Sequence, residues 1–309
     1  MTLHEMRGLV QQNDGWPGLA EFKSFTLAFL RAAERGDLTS IDSVTDDEYR
    51  FLRIGAAGRV LRPINAAVWL SDPDEYDSAF DLTLDSLRNA RIGTYGADVA
   101  AGVEAAGYMS QAIYTTQQAI SSVAASFQNQ NQARKRVGQL FEQFLSSAIR
   151  EAGLHCVAKN VSYPIPGMEG QSVSYEIDLI FSQGGLDWEV GAPLPYGVVL
   201  GSVKTTSKDR IDKVFQDREM LRRLLNRNDV PLIAVFLHDV QKAKRKDSPY
   251  GIGRTFKRNH FLALSAILGE LSGTYYVDPR PEMKTDPLLA ERISTIERLL
   301  LCDLWTLTG

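Results

Sequence analysis

Two apolar runs near the middle of the chain, VSYEIDLIF at residues 173–181 and GVVLGSVK at residues 197–204, decide the fold. Both are rich in β-branched and aromatic residues and are bounded by turn-forming residues, which predicts buried strands. Runs of the same kind occur at residues 155–165, 231–237 and 274–277. The second half of the chain is therefore predicted to form a β-sheet.

Helical patterns precede and separate these strands. Residues 211–227 and 261–273 have helical apolar spacing and lie among the predicted strands. Residues 94–153 contain no proline and predict a long helical stretch, broken near residues 128–131 and ended by Gly153. Strands that alternate with helices indicate an α/β fold, in which helices flank a mixed β-sheet.

The first 95 residues are predicted to form a mainly helical N-terminal region. Periodic apolar residues near 27–33 predict one helix, whereas the proline-containing residues 62–80 are predicted to be largely loop. The chain is accordingly divided into residues 1–95 and residues 96–309.

The composition excludes several classes of protein. The 309 residues are 44% hydrophobic and 23% charged, as in folded globular proteins. No apolar run reaches the roughly 20 residues that span a bilayer, and the first residues lack a signal-peptide pattern. Cys156 and Cys302 lie outside any CxxC pattern, which argues against a disulfide framework or a zinc site. We expect a soluble, cytoplasmic protein with no membrane partner.

The net charge of −4 is unevenly distributed along the chain. Residues 200–260 contain 15 Lys and Arg against 7 Asp and Glu, a balance of +8, so the remainder carries −12. A basic segment of this kind suits contact with phosphate groups, although a solvated helical surface has the same composition.

Three charged residues lie in apolar surroundings, where an unpaired charge is unfavourable. Asp178 stands inside one predicted strand, Lys204 ends another, and Glu142 lies within the helical segment LFEQFL. Each alone has a structural explanation, such as an ion pair. Together they suit phosphodiester hydrolysis, because carboxylates bind Mg²⁺ and a lysine positions or activates the attacking water. The GxSxG, HExxH, GxxxxGK[ST] and GxGxxG patterns do not occur.

The order of these residues resembles the PD-(D/E)xK nuclease core. More narrowly, it resembles the type II restriction endonucleases of the CCGG/CCNGG-recognising, NgoMIV/EcoRII-like group, over roughly residues 125–260. In that group the acid two residues before the lysine is often a serine, here Ser202, and an acid on the following helix takes over its role. The resemblance implies a Mg²⁺-dependent, site-specific DNA endonuclease with Asp178, Lys204 and Glu142 in its catalytic site.

Two acids are candidates for the displaced position. The family pattern places it about 13 or 14 residues after the lysine; Asp217 lies 13 residues after Lys204, and Glu219 lies 15 after it. On a helical wheel Asp217 falls roughly 60° from the centre of the apolar face and Glu219 roughly 140° from it. Asp217 is therefore the preferred metal ligand, beside Asp178 and Glu142, and Glu219 is the alternative.

The resemblance also implies contacts with bases. Lys208, Asp209 and Arg210 stand where the family reads adjacent C:G pairs, and their donors and acceptor match guanine and cytosine. A simple helix start, with Ser207 as the N-cap, is the structural alternative for the same segment. Arg254, further along the chain, is a candidate for contact with another base.

The segment QNQNQARKRVGQLFE resembles the family's Gln/Arg stretch before the catalytic glutamate. Gln130 or Gln132 is predicted to read bases, and Arg134 and Arg136 are predicted to contact phosphates. Trp69 is a candidate for stacking on a flipped base, and a place in the core is its alternative.

The family further implies double-stranded DNA as the partner and a palindromic site that contains CC/GG. Because protein symmetry mirrors site symmetry, a homodimer or a tetramer of two dimers is expected. A cognate DNA methyltransferase is expected in the same bacterial system. The other function classes are a repair or structure-directed nuclease on the same core, and a DNA-binding protein that does not cut.

Overall fold

The computed structural model describes the chain except residues 13–14, 55–59, 166, 187, 189–193, 208–209, 226, 228 and 246–247, and for residues 37, 54, 60–61 and 245 it describes the backbone alone. The helices are α1 (Leu3–Gln11), α2 (Leu19–Ala32), α3 (Pro73–Arg91), α4 (Ala97–Ala106), α5 (Tyr108–Ala124), α6 (Gln130–Glu151), α7 (Ile211–Leu224), α8 (Arg258–Leu268), α9 (Pro281–Thr285), α10 (Pro287–Ala290), α11 (Ile296–Arg298) and α12 (Leu304–Thr308). The strands are β1 (Leu38–Asp42), β2 (Tyr49–Ile54), β3 (Val60–Asn65), β4 (His155–Pro164), β5 (Ser172–Ser182), β6 (Val199–Thr206), β7 (Leu232–His238), β8 (Val240–Arg245), β9 (Ser248–Arg254), β10 (Gly273–Tyr276) and β11 (Ile293–Thr295). None of the described helices is long and apolar enough to cross a membrane.

A mixed sheet with the strand order β11-β10-β7-β6-β5-β4 forms the centre of the described structure. The pairs β6–β7, β7–β10 and β10–β11 are parallel, whereas β4–β5 and β5–β6 are antiparallel. Every residue of β7 is buried, as expected for a parallel strand covered on both faces. The predicted α/β class, a mixed sheet flanked by helices, is confirmed.

The two faces of this sheet belong to separate cores. Ile233 and Val235 of β7 pack with residues of α2, α3, α5 and α6, and Ala234 and Phe236 pack with residues of α7 and α8. The alternation of side chains along β7 therefore separates an α6 side from an α7 side. The predicted acids on α6 and α7 consequently lie on opposite sides of the sheet.

The N-terminal region contains more regular structure than its sequence predicts. β1, β2 and β3 form an antiparallel sheet, and α3 covers much of the segment that is predicted to be loop. Asp72 caps α3 by accepting hydrogen bonds from the backbone N–H groups of Asp74 and Glu75, at 2.7 and 3.1 Å. Pro73 occupies the first helical turn, where a missing N–H does no harm. The prediction that residues 62–80 are largely loop is wrong for the part that forms α3. The division of the chain at residue 95 stays a prediction.

Candidate active site

A β-bulge in β5 directs Asp178 toward α6. The β4–β5 register is irregular between Val157 and Lys159, which pair with Ile180 and Ile177, so β5 has one more residue than β4 over this step. Ile177 and Ile180 both lie in the core on the α7 side, which strict alternation would not allow. The extra residue between them leaves Asp178 on the α6 side. Bulges commonly re-aim a side chain in this way beside active sites.

β5 and β6 separate next to Asp178. Their pairing ends at Leu179 and Gly201, and the Asp178 carboxylate lies in the gap beyond. Its Oδ2 accepts hydrogen bonds from the Val203 backbone N–H at 2.7 Å and from Lys204 Nζ at 2.5 Å. The carboxylate therefore takes the place of a strand partner for Val203, and it holds Lys204 at the opening between the two strands.

Asp178 and Lys204 form a largely buried ion pair, with side chains 10% and 21% exposed. Removing one member of a buried pair leaves the other charge unsatisfied, which costs about 3–5 kcal/mol. Ser202, two residues before Lys204, has its hydroxyl 3.4 Å from Asp178 Oδ2. The serine at this position thus contacts the aspartate and supplies no second carboxylate.

α6 brings Glu142 to the same place. Asn129 caps this helix by accepting hydrogen bonds from the N–H groups of Asn131 and Gln132, at 3.0 and 3.1 Å. The buried face of α6 packs against the sheet, and Glu142 lies at its border. Burial and then the negative charge of Asp178 raise the pKa of Glu142 to about 7, and the positive charge of Lys204 opposes this shift. The three residues predicted to form the catalytic site are therefore neighbours.

Glu176 is a fourth charged residue of this cluster that the sequence pattern does not single out. It lies two residues before Asp178 on β5, and its negative charge also raises the pKa of Glu142. Alternation along the strand places it on the same side as Asp178. The spacing of two residues between Glu176 and Asp178 is visible in the sequence. It points to Glu176 only when the strand and its register are known.

The chemistry of these side chains fits Mg²⁺. Among the described residues, no three His, Cys, Asp or Glu side chains are already gathered as a ligand cluster. Mg²⁺ does not need such a cage, because it is usually held by one or two carboxylates together with waters and substrate phosphate. Asp178 and Glu142 supply two carboxylates that repel each other, so a divalent cation between them would relieve an unfavourable interaction.

The two acids of α7 have local partners on the other side of the sheet. Asp217 accepts hydrogen bonds from Lys213 Nζ at 2.8 and 2.9 Å. Glu219 pairs with Arg222 and Arg223, and its hydrogen bonds with them lower its pKa to about 2. Within the described chain neither acid has a hydrogen bond or ion pair with the Asp178 cluster. The metal-binding role of Asp217, and that of Glu219 as its alternative, stay predictions.

The segment predicted to read C:G pairs is only partly described. Lys208 and Asp209 lie outside the described residues, and Arg210 is exposed at the start of α7. Ser207 does not cap this helix, because it is buried and its hydroxyl pairs with that of Thr255 at 3.1 Å. The structural alternative of a Ser207 N-cap is therefore wrong.

The first turns of α6 present some of the predicted DNA-binding side chains to solvent. Gln130, Gln132 and Arg134 are exposed. Arg136, in contrast, is 4% exposed and donates from Nε to the carbonyl oxygen of Val10 at 2.8 Å. In this structure Arg136 fastens α6 to the end of α1, and its contact with a phosphate stays a prediction.

Arg254 and Trp69 each have partners within the fold. The Arg254 guanidinium donates to Tyr49 Oη at 3.1 Å and to Asp46 at 2.9 Å, which joins β9 to the N-terminal sheet. Trp69 is partly buried against the core, with its ring 6.3 Å from that of Phe29. Their predicted contacts with DNA bases stay predictions.

Comparison with known proteins identifies the fold. The central sheet with its flanking helices is of the restriction-endonuclease-like class. A solved structure with the same fold is the crystal structure of the type IIP restriction endonuclease Kpn2I, with a TM-score of 0.69 and 15% sequence identity over 98% of this chain and 96% of that one. No family model and no curated protein sequence matches the chain.

Proposed function

We propose that the protein is a Mg²⁺-dependent endonuclease that cuts double-stranded DNA at a short specific site, in the manner of a type II restriction enzyme. The observation that carries this proposal is the meeting of Asp178, Lys204 and Glu142 where β5 and β6 separate. The fold shared with a type IIP restriction endonuclease supports it.

Each member of the cluster has a chemical role in phosphodiester hydrolysis. Asp178 and Glu142 would hold Mg²⁺, with Glu176 adding negative charge beside them. When bound, the ion neutralises charge that develops on the scissile phosphate. Lys204 positions the attacking water, because its ammonium is fixed by Asp178 at the opening between the strands. Asp217, with Glu219 as the alternative, is proposed as a further ligand after a change of partner.

The recognised sequence is proposed to be a palindrome that contains CC/GG. Lys208, Asp209 and Arg210 would read its C:G pairs from the major groove, with Gln130 or Gln132 reading others. Symmetric cutting of both strands calls for a homodimer, with a tetramer of two such dimers as the alternative. Residues 1–95 are proposed to contribute to the DNA contact or the dimer, and a cognate methyltransferase to protect the cell's own DNA in the bacterial cytoplasm.

Digestion of a sequenced plasmid tests the proposal. The wild type is incubated with Mg²⁺ and without ATP, and the fragment ends are mapped. Discrete fragments with a common end sequence are expected, and a CC/GG palindrome at the ends would support the narrower specificity. A smear would instead support a nuclease without sequence specificity. Binding of DNA with no cleavage in either Mg²⁺ or Mn²⁺ would replace the proposal with a binding protein.

A further inference from the structure

The hairpin formed by β8 and β9 presents positive charge that the fold leaves without a carboxylate partner. Lys242 and Lys244 of β8 are exposed, and neither forms an ion pair with an acid in the described part of the chain. Arg254, at the end of β9, does have such a partner, since it pairs with Asp46 at 2.9 Å. Residues 242–247 contain four Lys and Arg against one Asp, a balance of +3. The far end of the hairpin is therefore a basic surface.

The hairpin starts at the edge of the central sheet that carries the Asp178 cluster. Lys204 of β6 pairs with Phe236 of the parallel strand β7, and β8 begins two residues after β7 ends. Six residues separate Phe236 from Lys242. At no more than about 3.6 Å per residue, with about 5 Å between strands, the Cα atoms of Lys204 and Lys242 lie at most about 27 Å apart. This distance is shorter than one helical turn of DNA, about 34 Å.

The N-terminal sheet fixes the position of this hairpin. The two share a small buried core, which consists of Tyr49, Phe51, Val240 and Ile252. The Ile252 N–H donates a hydrogen bond to Thr45 Oγ1 at 3.0 Å. The Val44 N–H donates another to the carbonyl oxygen of Tyr250 at 3.1 Å. A two-stranded hairpin alone is only marginally stable in water, so these contacts hold the basic surface in one place.

The two lysines suit contact with phosphate groups. The Lys242 ammonium lies 5.9 Å from the centre of the Phe51 ring, a cation–π contact that limits the freedom of an otherwise flexible side chain. A lysine ammonium binds phosphate as a point charge, and about half to two-thirds of the hydrogen bonds between proteins and DNA go to phosphate and sugar. Double-stranded DNA carries one negative charge per about 1.7 Å of its axis, so it complements a basic surface of this kind.

We propose that the β8–β9 hairpin binds the phosphate backbone of double-stranded DNA beside the cleavage site, through Lys242 and Lys244. The assignment rests on the proposed function and adds to it a contact that is independent of base sequence. It also gives the N-terminal sheet a role, because β2 holds the hairpin in place. The hairpin positions the duplex and takes no part in the hydrolysis itself.

The salt dependence of DNA binding tests this proposal. Lys242→Gln/Lys244→Gln removes both charges, Lys244→Gln removes one, and Lys242→Arg/Lys244→Arg keeps both with a different shape. Arg88→Gln is the control for the loss of one charge, because Arg88 is exposed and pairs with Glu151 at the C-terminal end of α6, at 2.7 Å. Affinity for a specific and for an unrelated duplex is measured in Ca²⁺ over a range of salt concentrations, and the melting temperature verifies that each variant is folded.

The expected results follow from the number of phosphate contacts. The slope of log affinity against log salt becomes shallower by about 1 in Lys244→Gln and by about 2 in the double Gln variant, equally for both duplexes. Arg88→Gln and the double Arg variant keep the wild-type slope. All variants melt within about 2 °C of the wild type, because the substituted side chains are exposed.

Three outcomes would overturn the proposal. A wild-type slope in the double Gln variant would make the hairpin a solvated surface without a role in binding. A shallower slope in the double Arg variant would mean that shape and not charge is responsible. A loss confined to the specific duplex would mean that the lysines read bases. If the wild type binds duplex DNA but never cuts it, the proposed function fails, and the slopes still decide this inference.

Discussion

The acids on the two sides of the central sheet differ in how the protein satisfies their charges. On the α6 side, Glu142 and Asp178 repel each other, and the pKa of Glu142 rises to about 7. On the α7 side, Asp217 pairs with Lys213, and the arginines beside Glu219 lower its pKa to about 2. The α6 side thus holds two acids whose negative charge Lys204, the ion-pair partner of Asp178, compensates only in part. Such carboxylates are the ones available to a cation, and functional sites commonly hold groups of this kind.

The largest expected effect is on cleavage by Asp178→Asn. This carboxylate contacts Lys204 and is the proposed cation ligand, so single-turnover cleavage should fall at least about 10³-fold, equivalent to about 4 kcal/mol of transition-state stabilisation. Asp229→Asn is the control, since Asp229 is exposed and pairs with Arg227, and it should cut like the wild type. Duplex binding in Ca²⁺ verifies that each variant is folded. A folded Asp178→Asn that cuts at the wild-type rate would remove the α6 side from the mechanism.

Asp217→Asn and Glu219→Gln decide whether the α7 side joins the site. If Asp217 leaves Lys213 to bind the cation with DNA present, Asp217→Asn should lower the cleavage rate by about 10²-fold, a typical loss for a group near the reacting centre. Glu219→Gln should then change it less than threefold. A larger loss of cleavage in Glu219→Gln than in Asp217→Asn would assign the role of cation ligand to Glu219. If neither substitution changes the cleavage rate, the site is restricted to the α6 side.

Glu176→Gln tests whether the negative charge of Glu176 contributes to cation binding beside Glu142. The concentration of Mg²⁺ that gives half-maximal cleavage should rise about tenfold, as for groups that support metal ligands. Calorimetry with Ca²⁺ should show the same loss of affinity without cleavage. Glu169→Gln, an equal charge change in the β4–β5 turn, is the control. Equal cation affinity in Glu176→Gln and Glu169→Gln would exclude Glu176 from the site.

The pH dependence of stability should differ in sign between Glu142→Gln and Glu219→Gln. The pKa of Glu142 is raised in the folded state, so folding is favoured at low pH and loses stability as the pH rises through about 7. Without metal, Glu142→Gln should therefore gain on the order of 1–3 kcal/mol over the wild type at pH 8, and little at pH 5. The pKa of Glu219 is lowered, so Glu219→Gln should be less stable than the wild type at pH 7, and the difference should vanish as the pH falls toward 2.

Urea denaturation in EDTA at several pH values makes this measurement. A Glu142→Gln variant that is destabilised at pH 8 would mean that the wild-type carboxylate is well satisfied in the folded chain. The contrast between the two sides of the sheet would then be lost.

The sequence predicts the sheet and the Asp178 cluster for the same physical reason. β5, β6 and β7 are apolar because both faces of the sheet are covered, and a charge within such a run is conspicuous. The bulge that directs Asp178 toward α6 is not visible in the sequence, because it depends on the register with β4. Glu176 is not predicted either, because the face of β5 on which it lies is known only once the register with β4 is known.

Other features depend on contacts between distant parts of the chain. Arg136 is predicted to contact a phosphate, yet its Nε donates to the carbonyl oxygen of Val10. The missed helix α3 is different, because Asp72 and Pro73 are an N-cap and a first-turn proline that predict a helix start. The sequence thus contains the helix-start signal of α3, but the two prolines within residues 62–80 favour the interpretation as a loop.

The most direct test is single-turnover cleavage by Lys204→Met at a mapped site, with duplex binding measured on the same preparation in Ca²⁺. Methionine keeps most of the length of lysine and removes the ammonium that Asp178 holds between β5 and β6. We predict binding within about threefold of the wild type and a cleavage rate lower by at least about 10³-fold. Cleavage within tenfold of the wild-type rate would contradict the assignment of this cluster as the catalytic site.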